Sequence, residues 1–212
     1  MDDRLTDLPA RTLIERLATS DPIPGGGSAA ALAGAMGAAL VHMVVSLTSG
    51  RPAAKSHETA LLEIGNAATT AQSDLLRLTE LDAVAYAAVV SARRLPRETE
   101  LERQSRDVQM ASAIREATMA PLETARRAAA VLTLAERLAP MGNRNAISDV
   151  GVGALLAAAA MRGAALNVRI NLPYLAADDL LRTDAATDLD TIFANLDERE
   201  RSIRQAVEER LG

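Results

Sequence analysis

Asp21-Pro22-Ile23-Pro24-Gly25-Gly26-Gly27-Ser28 runs into an alanine- and glycine-rich stretch that continues to Leu47. Each proline drives the residue before it towards extended geometry, so no helix crosses Ser20 to Pro24. From Ser28 onward almost every side chain is small and apolar, and alanine is the strongest helix former. Gly34 and Gly37 inside such a helix each cost about 1 kcal/mol relative to alanine. Close approach of a second backbone is the expected return. The stretch is long enough to imitate a membrane span, which takes about 20 apolar residues. It is weakly hydrophobic, however, and carries His42 and Ser46. A central helix of a soluble bundle, buried on all sides, has the same composition.

The rest of the chain agrees with a helical reading. Of 212 residues, 49% are hydrophobic, yet only Phe193, Tyr86 and Tyr174 are aromatic. Alanine, leucine and valine dominate, with no sustained two-residue alternation, so strands are not expected. Net charge is −5 and no basic run interleaves with aromatics, which gives nucleic-acid binding no support. There is no cysteine, and His42 and His57 are the only histidines. Thiolate chemistry is excluded, and no metal site is expected. Met1-Asp2-Asp3-Arg4 does not read as a signal peptide, and a cytoplasmic protein is expected.

Periodicity and breakers set the element boundaries. A first helix is predicted from Leu8 to Ala18, capped by Asp7, with Pro9 in its first turn and Leu13, Ile14 and Leu17 on one face. The second begins near Ser28 and ends at Ser49-Gly50-Arg51-Pro52. A third spans Ala53 to Arg94, with Leu61, Leu62, Ile64, Leu75, Leu78 and Leu81 at helical spacing. A fourth stretch covers Glu98 to Leu138, with a kink or break at Ala117 to Ala120 ahead of Pro121 and a charged, solvent-facing first half. Pro140 to Asn143 forms a turn. Ser148 and Asp149 cap a second small-residue helix, Val150 to Asn171. Asp178 to Asp190 reads as loop or broken helix, and a last amphipathic helix covers Leu189 to Leu211. The sum is an all-α, single-domain bundle of about six to eight helices over residues 1–212. Several helices are long, and the two small-residue helices are central. Spare apolar faces favour a homodimer.

Three places could carry chemistry. The glycine turn presents unblocked N–H groups at a helix start, suited to a carboxylate, phosphate or carbonyl oxygen, although a plain turn and cap looks the same. Asp82 lies in the apolar segment Leu78 to Val90. On spacing alone it reads as a solvated face residue, the alternative being a buried acid or base with a raised pKa. Asn143, Arg144, Asn145, Ser148 and Asp149 form a polar cluster. Asn167 and Asn171, four apart, share a face of an apolar helix and need partners, as does Arg162. His42 reads as a satisfied core histidine.

Taken in order, these pieces resemble a known family. They are Pro24 to Ser28, Leu47-Thr48-Ser49-Gly50, Asp82 with Tyr86, Leu95-Pro96, Ala120-Pro121-Leu122, Gly142-Asn143 with Ser148-Asp149, and Ala165 to Leu172. The set is similar to the cyclodeaminase/cyclohydrolase family over nearly the whole chain, from about Leu13 to the last helix. The resemblance implies an all-α homodimer acting on a tetrahydrofolate derivative, with formiminotetrahydrofolate cyclodeaminase or methenyltetrahydrofolate cyclohydrolase activity and no metal. It implies that Asp82 and Asp149 line the folate cleft, with Asp82 the first candidate for the catalytic carboxylate and Asp149 the alternative. It also implies ligand contacts at Gly25, Gly26, Gly27, Ser28, Asn143, Asn167 and Asn171, and Arg51, Lys55 and Arg144 are the candidates for the folate carboxylates. The chain departs from the family at Arg51, where a lysine is common, and at Ala87, where a polar residue is common. A length of 212 residues leaves no room for a formiminotransferase domain, so a standalone copy is expected. The competing reading is a non-catalytic folate-binding or purely structural helical homodimer.

Overall fold

A computed structural model describes residues 4–211, and Met1 to Asp3, read above as no signal peptide, lie outside them. Seven α-helices follow one another: α1 (Ala10–Leu17), α2 (Gly26–Thr48), α3 (Glu58–Arg93), α4 (Glu100–Leu138), α5 (Ile147–Asn171), α6 (Leu181–Phe193) and α7 (Leu196–Leu211). Short 3₁₀ turns at Leu5–Asp7, Pro52–His57, Arg144–Ala146 and Leu172–Tyr174 join them, and the described residues contain no strand. The fold is the expected all-α bundle.

The two small-residue helices are central. α2 and α5 run antiparallel with their backbones in near contact. A Cβ on Gly37 would lie 2.8 Å from the Gly153 carbonyl oxygen, and one on Gly153 would lie 3.1 Å from that of Gly37. Gly34 makes the same allowance for Leu75 of α3, at 3.2 Å. Around this pair Val41, Val44, Leu61, Ile64, Leu75, Val131, Leu132, Leu138, Ile147 and Met161 are fully buried. Each large aliphatic so buried contributes about 1.5–3 kcal/mol. α2 and α5 are also long and apolar enough to cross a membrane, but half of each such window is buried within the bundle. Leu196, Ile203 and Val207 dock α7 on the same core. Arg162 finds its counter-charges on α7, at Asp197 (2.8 Å) and Glu200.

Several boundaries differ from expectation, each for a local reason. Pro9 is the N-cap of α1, and Asp7 closes the preceding 3₁₀ turn without capping. α2 starts two residues early, at Gly26, with Gly25 extended (φ −118°, ψ −164°) as its N-cap. Pro52–His57 is a 3₁₀ turn, so α3 begins at Glu58. Ser148 and Asp149 lie inside α5, whose N-cap Ala146 has no side-chain bond. The last segment divides into α6 and α7, because Asn195 adopts a left-handed conformation (φ 58°). His42 is satisfied, by Gly65 O (3.2 Å) and Thr69 (3.1 Å), but on the exposed side of α2 rather than in the core.

The largest departure is α4, which runs through Pro121 without a break. Its start is secured by a capping box, with Glu102 N–H donating to Thr99 Oγ1 (3.2 Å) and Thr99 N–H to Glu102 Oε2 (2.9 Å). Proline has no N–H for the carbonyl four residues back. That carbonyl belongs to Ala117, and the Asn171 Nδ2–H of α5 donates to it at 2.8 Å. A side chain from the neighbouring helix replaces the missing rung.

Candidate active site

The glycine turn and α3 form the site together. At the start of α2 the N–H groups of Gly26, Gly27 and Ser28 have no intrahelical partner, since the helical ladder opens with Ala29 N–H to Gly25 O (3.1 Å). Asp82 of α3 is the group that faces them. The fit is tight: a Cβ on Gly27 would lie 2.0 Å from Asp82 Oδ1 and 2.5 Å from its Cγ. Glycine at 27 is what lets the carboxyl reach the helix end. The sequence left a ligand carboxylate or phosphate open at this turn, and the chain's own carboxyl occupies it.

Ser28, 2% exposed, lies within hydrogen-bond reach of both Asp82 Oδ2 (2.9 Å) and the Thr79 carbonyl oxygen (3.0 Å). A carbonyl can only accept, and one hydroxyl has one proton. When Ser28 donates to Thr79, the contact with Asp82 is completed by the protonated carboxyl. When Asp82 is ionised, Ser28 turns its proton to it. Burial pushes the Asp82 carboxyl above its ordinary value, and the hydroxyl and N–H of Ser28 oppose this more weakly. The solvated-face reading of Asp82 is therefore replaced by the half-buried acid.

Asp82 opens into a cleft of about 230 Å³ between the glycine turn, α3, α4 and the last turns of α5. Gly25, Gly26, Gly27, Asn167 and Asn171 line it with Ile23, Ala83, Tyr86, Ala117 and Ile170. Asn167 Nδ2 donates to Gly163 O at 2.9 Å, and a Cβ on Gly26 would meet that amide at 3.7 Å. Tyr86 and Ile170 were not singled out as site residues from sequence. Their signal was available as helical spacing, four residues after Asp82 and three after Asn167. Ile23 and Ala117 carry no such signal.

The other expected residues lie at the opposite end of the bundle. α2 has 23 residues, so its ends are about 33 Å apart at 1.5 Å per residue. Arg51 and Lys55 are exposed on the turn that follows it. Asn143 is tied to that end: its N–H donates to Thr48 Oγ1 (3.0 Å), its Nδ2 to Leu47 O (3.1 Å), and its Oδ1 accepts from Asn145 N–H (3.1 Å). Arg144 Nε donates to Arg210 O at 2.9 Å. Asp149 is in the first turn of α5, where a carboxylate suits the helix dipole. Within one chain none of these joins Asp82.

A larger groove, about 920 Å³, lies between α3, α4 and the segment before α6. Leu81, Val84, Met119 and Leu180 line it, and Arg115 and Arg126 at its edge are already paired with Asp179 and Asp188. Asp179 there is held below its ordinary value by the Arg115 guanidinium, whereas burial raises Asp82, which makes the smaller cleft the candidate for chemistry. Among the described residues no group of three His, Cys, Asp or Glu side chains could hold a metal ion.

The bundle is all-helical, and a half-buried carboxyl at its glycine-capped helix end shares a cleft with two asparagines. The formiminotransferase-cyclodeaminase family model matches residues 9–190, and the chain belongs to that family. It is 42% identical over 160 residues to the methenyltetrahydrofolate cyclohydrolase of Methylorubrum extorquens, covering 76% of this chain and 77% of that one. It is 32% identical over 177 residues to the formimidoyltransferase-cyclodeaminase of Rattus norvegicus, covering 84% of this chain but only 33% of the rat protein. The fold matches a crystal structure of formiminotetrahydrofolate cyclodeaminase from Thermotoga maritima with a TM-score of 0.84 at 26% identity, over 96% of this chain and 97% of that one.

Proposed function

We propose that this protein interconverts one-carbon derivatives of tetrahydrofolate, with Asp82 as the proton carrier. The observation that carries the reading is the half-buried Asp82 carboxyl, held at the start of α2 and open to a cleft with Asn167 and Asn171. The cyclohydrolase direction is favoured by 42% identity to a cyclohydrolase across three-quarters of both chains. There, water attacks the methenyl carbon bridging N5 and N10 and forms a C–O bond as Asp82 takes one of its protons. The C–N5 bond of the resulting carbinol then breaks. N5 takes the proton back from Asp82, and the hydroxyl proton leaves to solvent, giving 10-formyltetrahydrofolate. The ionised carboxyl also stabilises the cationic substrate. Burial, by raising the pKa of this carboxyl, lets it hold the proton it has accepted until N5 takes it back. The route needs no further cofactor.

The cyclodeaminase direction is the second reading, favoured by the T. maritima neighbour. In that direction N10 attacks the carbon of the protonated formimino group and gives up its proton to Asp82, which passes it to the departing nitrogen as the C–N bond breaks and ammonia leaves. Absorbance of the methenyl group, followed with each substrate in turn, decides between the two. Wild type is expected to turn over one of them and Asp82→Asn neither. Full turnover by Asp82→Asn would remove Asp82 from the chemistry.

The protein is proposed to act as a cytoplasmic homodimer. α2 carries an uncharged outer stripe of Ala29, Leu32, Ala33, Met36, Leu40, Met43 and Leu47, and Val152, Leu155, Ala159, Leu166 and Ile170 of α5 continue it on the same side. Two adjacent helices of this length cover roughly 700 Å², near the ~800 Å² that each partner contributes to a standard interface. Such a face suits an isologous pair. Any part that Arg51, Lys55, Asn143, Arg144 and Asp149 take in folate binding then comes from the second copy. Light scattering on wild type and Leu155→Glu tests this, since a monomeric wild type would end the dimer reading.

A further inference from the structure

Asn171 lines the cleft, yet its Nδ2 is engaged with Ala117 O of α4 at 2.8 Å. Inside an α-helix that oxygen would accept from the N–H of residue 121. Residue 121 is proline, so the oxygen is vacant. A carbonyl can only accept, so the amide group of Asn171 must present its nitrogen there, whichever way the side chain is otherwise drawn. Its Oδ1 has no partner among the described residues. Asn167 is held in the same sense, with Nδ2 on Gly163 O and its Oδ1 likewise without a partner.

We propose that Pro121 is a positioning residue of the cleft: by vacating Ala117 O it locks the Asn171 amide with nitrogen towards α4 and oxygen towards the ligand. Together with Asn167 Oδ1, this presents oxygen acceptors to the N–H-bearing edge of a heterocycle, and leaves the Asp82 carboxyl to the reacting carbon. On the folate reading, on which the ligand named here rests, that edge belongs to the reduced pterin. A helix-interior proline is otherwise a burden of about 3 kcal/mol, and nothing else in α4 uses the carbonyl it frees.

The test is Pro121→Ala, with Asn171→Ala as the second variant and 5-formyltetrahydrofolate as the probe in titration calorimetry. Restoring an N–H at 121 returns Ala117 O to the helix and lets Asn171 turn. The expected result is an unchanged or higher melting temperature together with a Kd for the probe raised about five- to tenfold, the size of one lost hydrogen bond. In turnover the effect falls on KM rather than kcat. Asn171→Ala is expected to raise Kd by a similar factor, and the double variant no further, because both remove the same contact. Wild-type affinity in Pro121→Ala, or independent effects that multiply, would overturn the proposal. A wild type that binds no tetrahydrofolate overturns the folate reading and the ligand assigned here. The lock itself is read separately, from exchange of the Asn171 side-chain amide protons by NMR. Slow exchange in wild type and fast exchange in Pro121→Ala support it, and fast exchange in wild type refutes it.

Discussion

Gly27→Ala places the mechanism under the most direct strain. The new methyl carbon would start 2.0 Å from Asp82 Oδ1, 2.5 Å from Cγ and 2.7 Å from Oδ2. Real Cβ contacts do not fall below 3.0 Å, so Oδ1 must withdraw by at least 3.0 − 2.0 = 1.0 Å. The side chain that must move is short and open to the cleft on one side, so it swings outwards. The same swing draws Cγ and Oδ2 after Oδ1 and turns Oδ2 away from Ser28 Oγ, now 2.9 Å from it, which distorts or breaks that hydrogen bond. Losing a hydrogen bond to a charged group costs about 1.5–3 kcal/mol. Alanine in place of glycine returns about 0.5–1 kcal/mol. The net, about 1–2 kcal/mol, lowers the melting temperature by roughly 2–8 °C for a domain of this size. Turnover suffers far more, because a misplacement of about 1 Å in a reacting group costs about 100-fold. The assay is methenyl absorbance at saturating substrate beside a thermal melt. Gly25→Ala and Gly26→Ala are the controls, since their added carbons meet only Pro22 O at 3.4 Å and Asn167 Nδ2 at 3.7 Å. Both should fold as wild type, with Gly26→Ala raising KM by narrowing the cleft. A folded Gly27→Ala with full turnover would refute the role of Asp82.

The raised pKa of Asp82 fixes a sign for pH dependence. The folded state holds this proton more tightly than the unfolded chain, so the carboxyl's contribution to stability is complete at low pH and is lost as pH rises through its folded value. Asp82→Asn should therefore gain in melting temperature relative to wild type as pH is raised from 4 to 8, and a constant difference would contradict the assignment. Gly37→Ala puts a carbon 2.8 Å from the Gly153 carbonyl oxygen, which is backbone and cannot swing aside. α2 and α5 must separate, at a cost of about 1–3 kcal/mol read by chemical denaturation. Asn143→Ala removes its side-chain bonds to Leu47 O and Asn145 N–H and should lower stability by about 1–2 kcal/mol in urea titration.

Helix type and order were legible because the signals are local. Alanine and leucine content, the Pro22–Pro24 block and the Gly142 turn act over a few residues, and they placed the long helices to within a few positions. The misread ends have local competitors. Pro52 favoured a 3₁₀ turn over an α-helical start, and Asn195 supplied the left-handed residue that separates α6 from α7. Pro121 misled for another reason. Its effect on α4 depends on whether a neighbour can serve Ala117 O, and that neighbour, Asn171, lies 54 residues away.

Composition and periodicity made this chain a helical bundle with two small-residue helices at its centre, and its ordered motifs pointed to a folate enzyme. Spacing alone did not rank Asp82 against Asp149, because each is a single carboxylate on an apolar helix, and it was the resemblance that put Asp82 first. The tertiary structure shows what surrounds each of them. The antiparallel pairing of α2 and α5 sends Asp149 to the far end with Arg51, Lys55, Asn143 and Arg144, and leaves Asp82 with the glycine turn, Asn167 and Asn171. Burial and the missing side chain of Gly27 then give Asp82 its raised pKa and its place. Both are properties of contacts between elements distant in the chain, which composition and spacing do not encode.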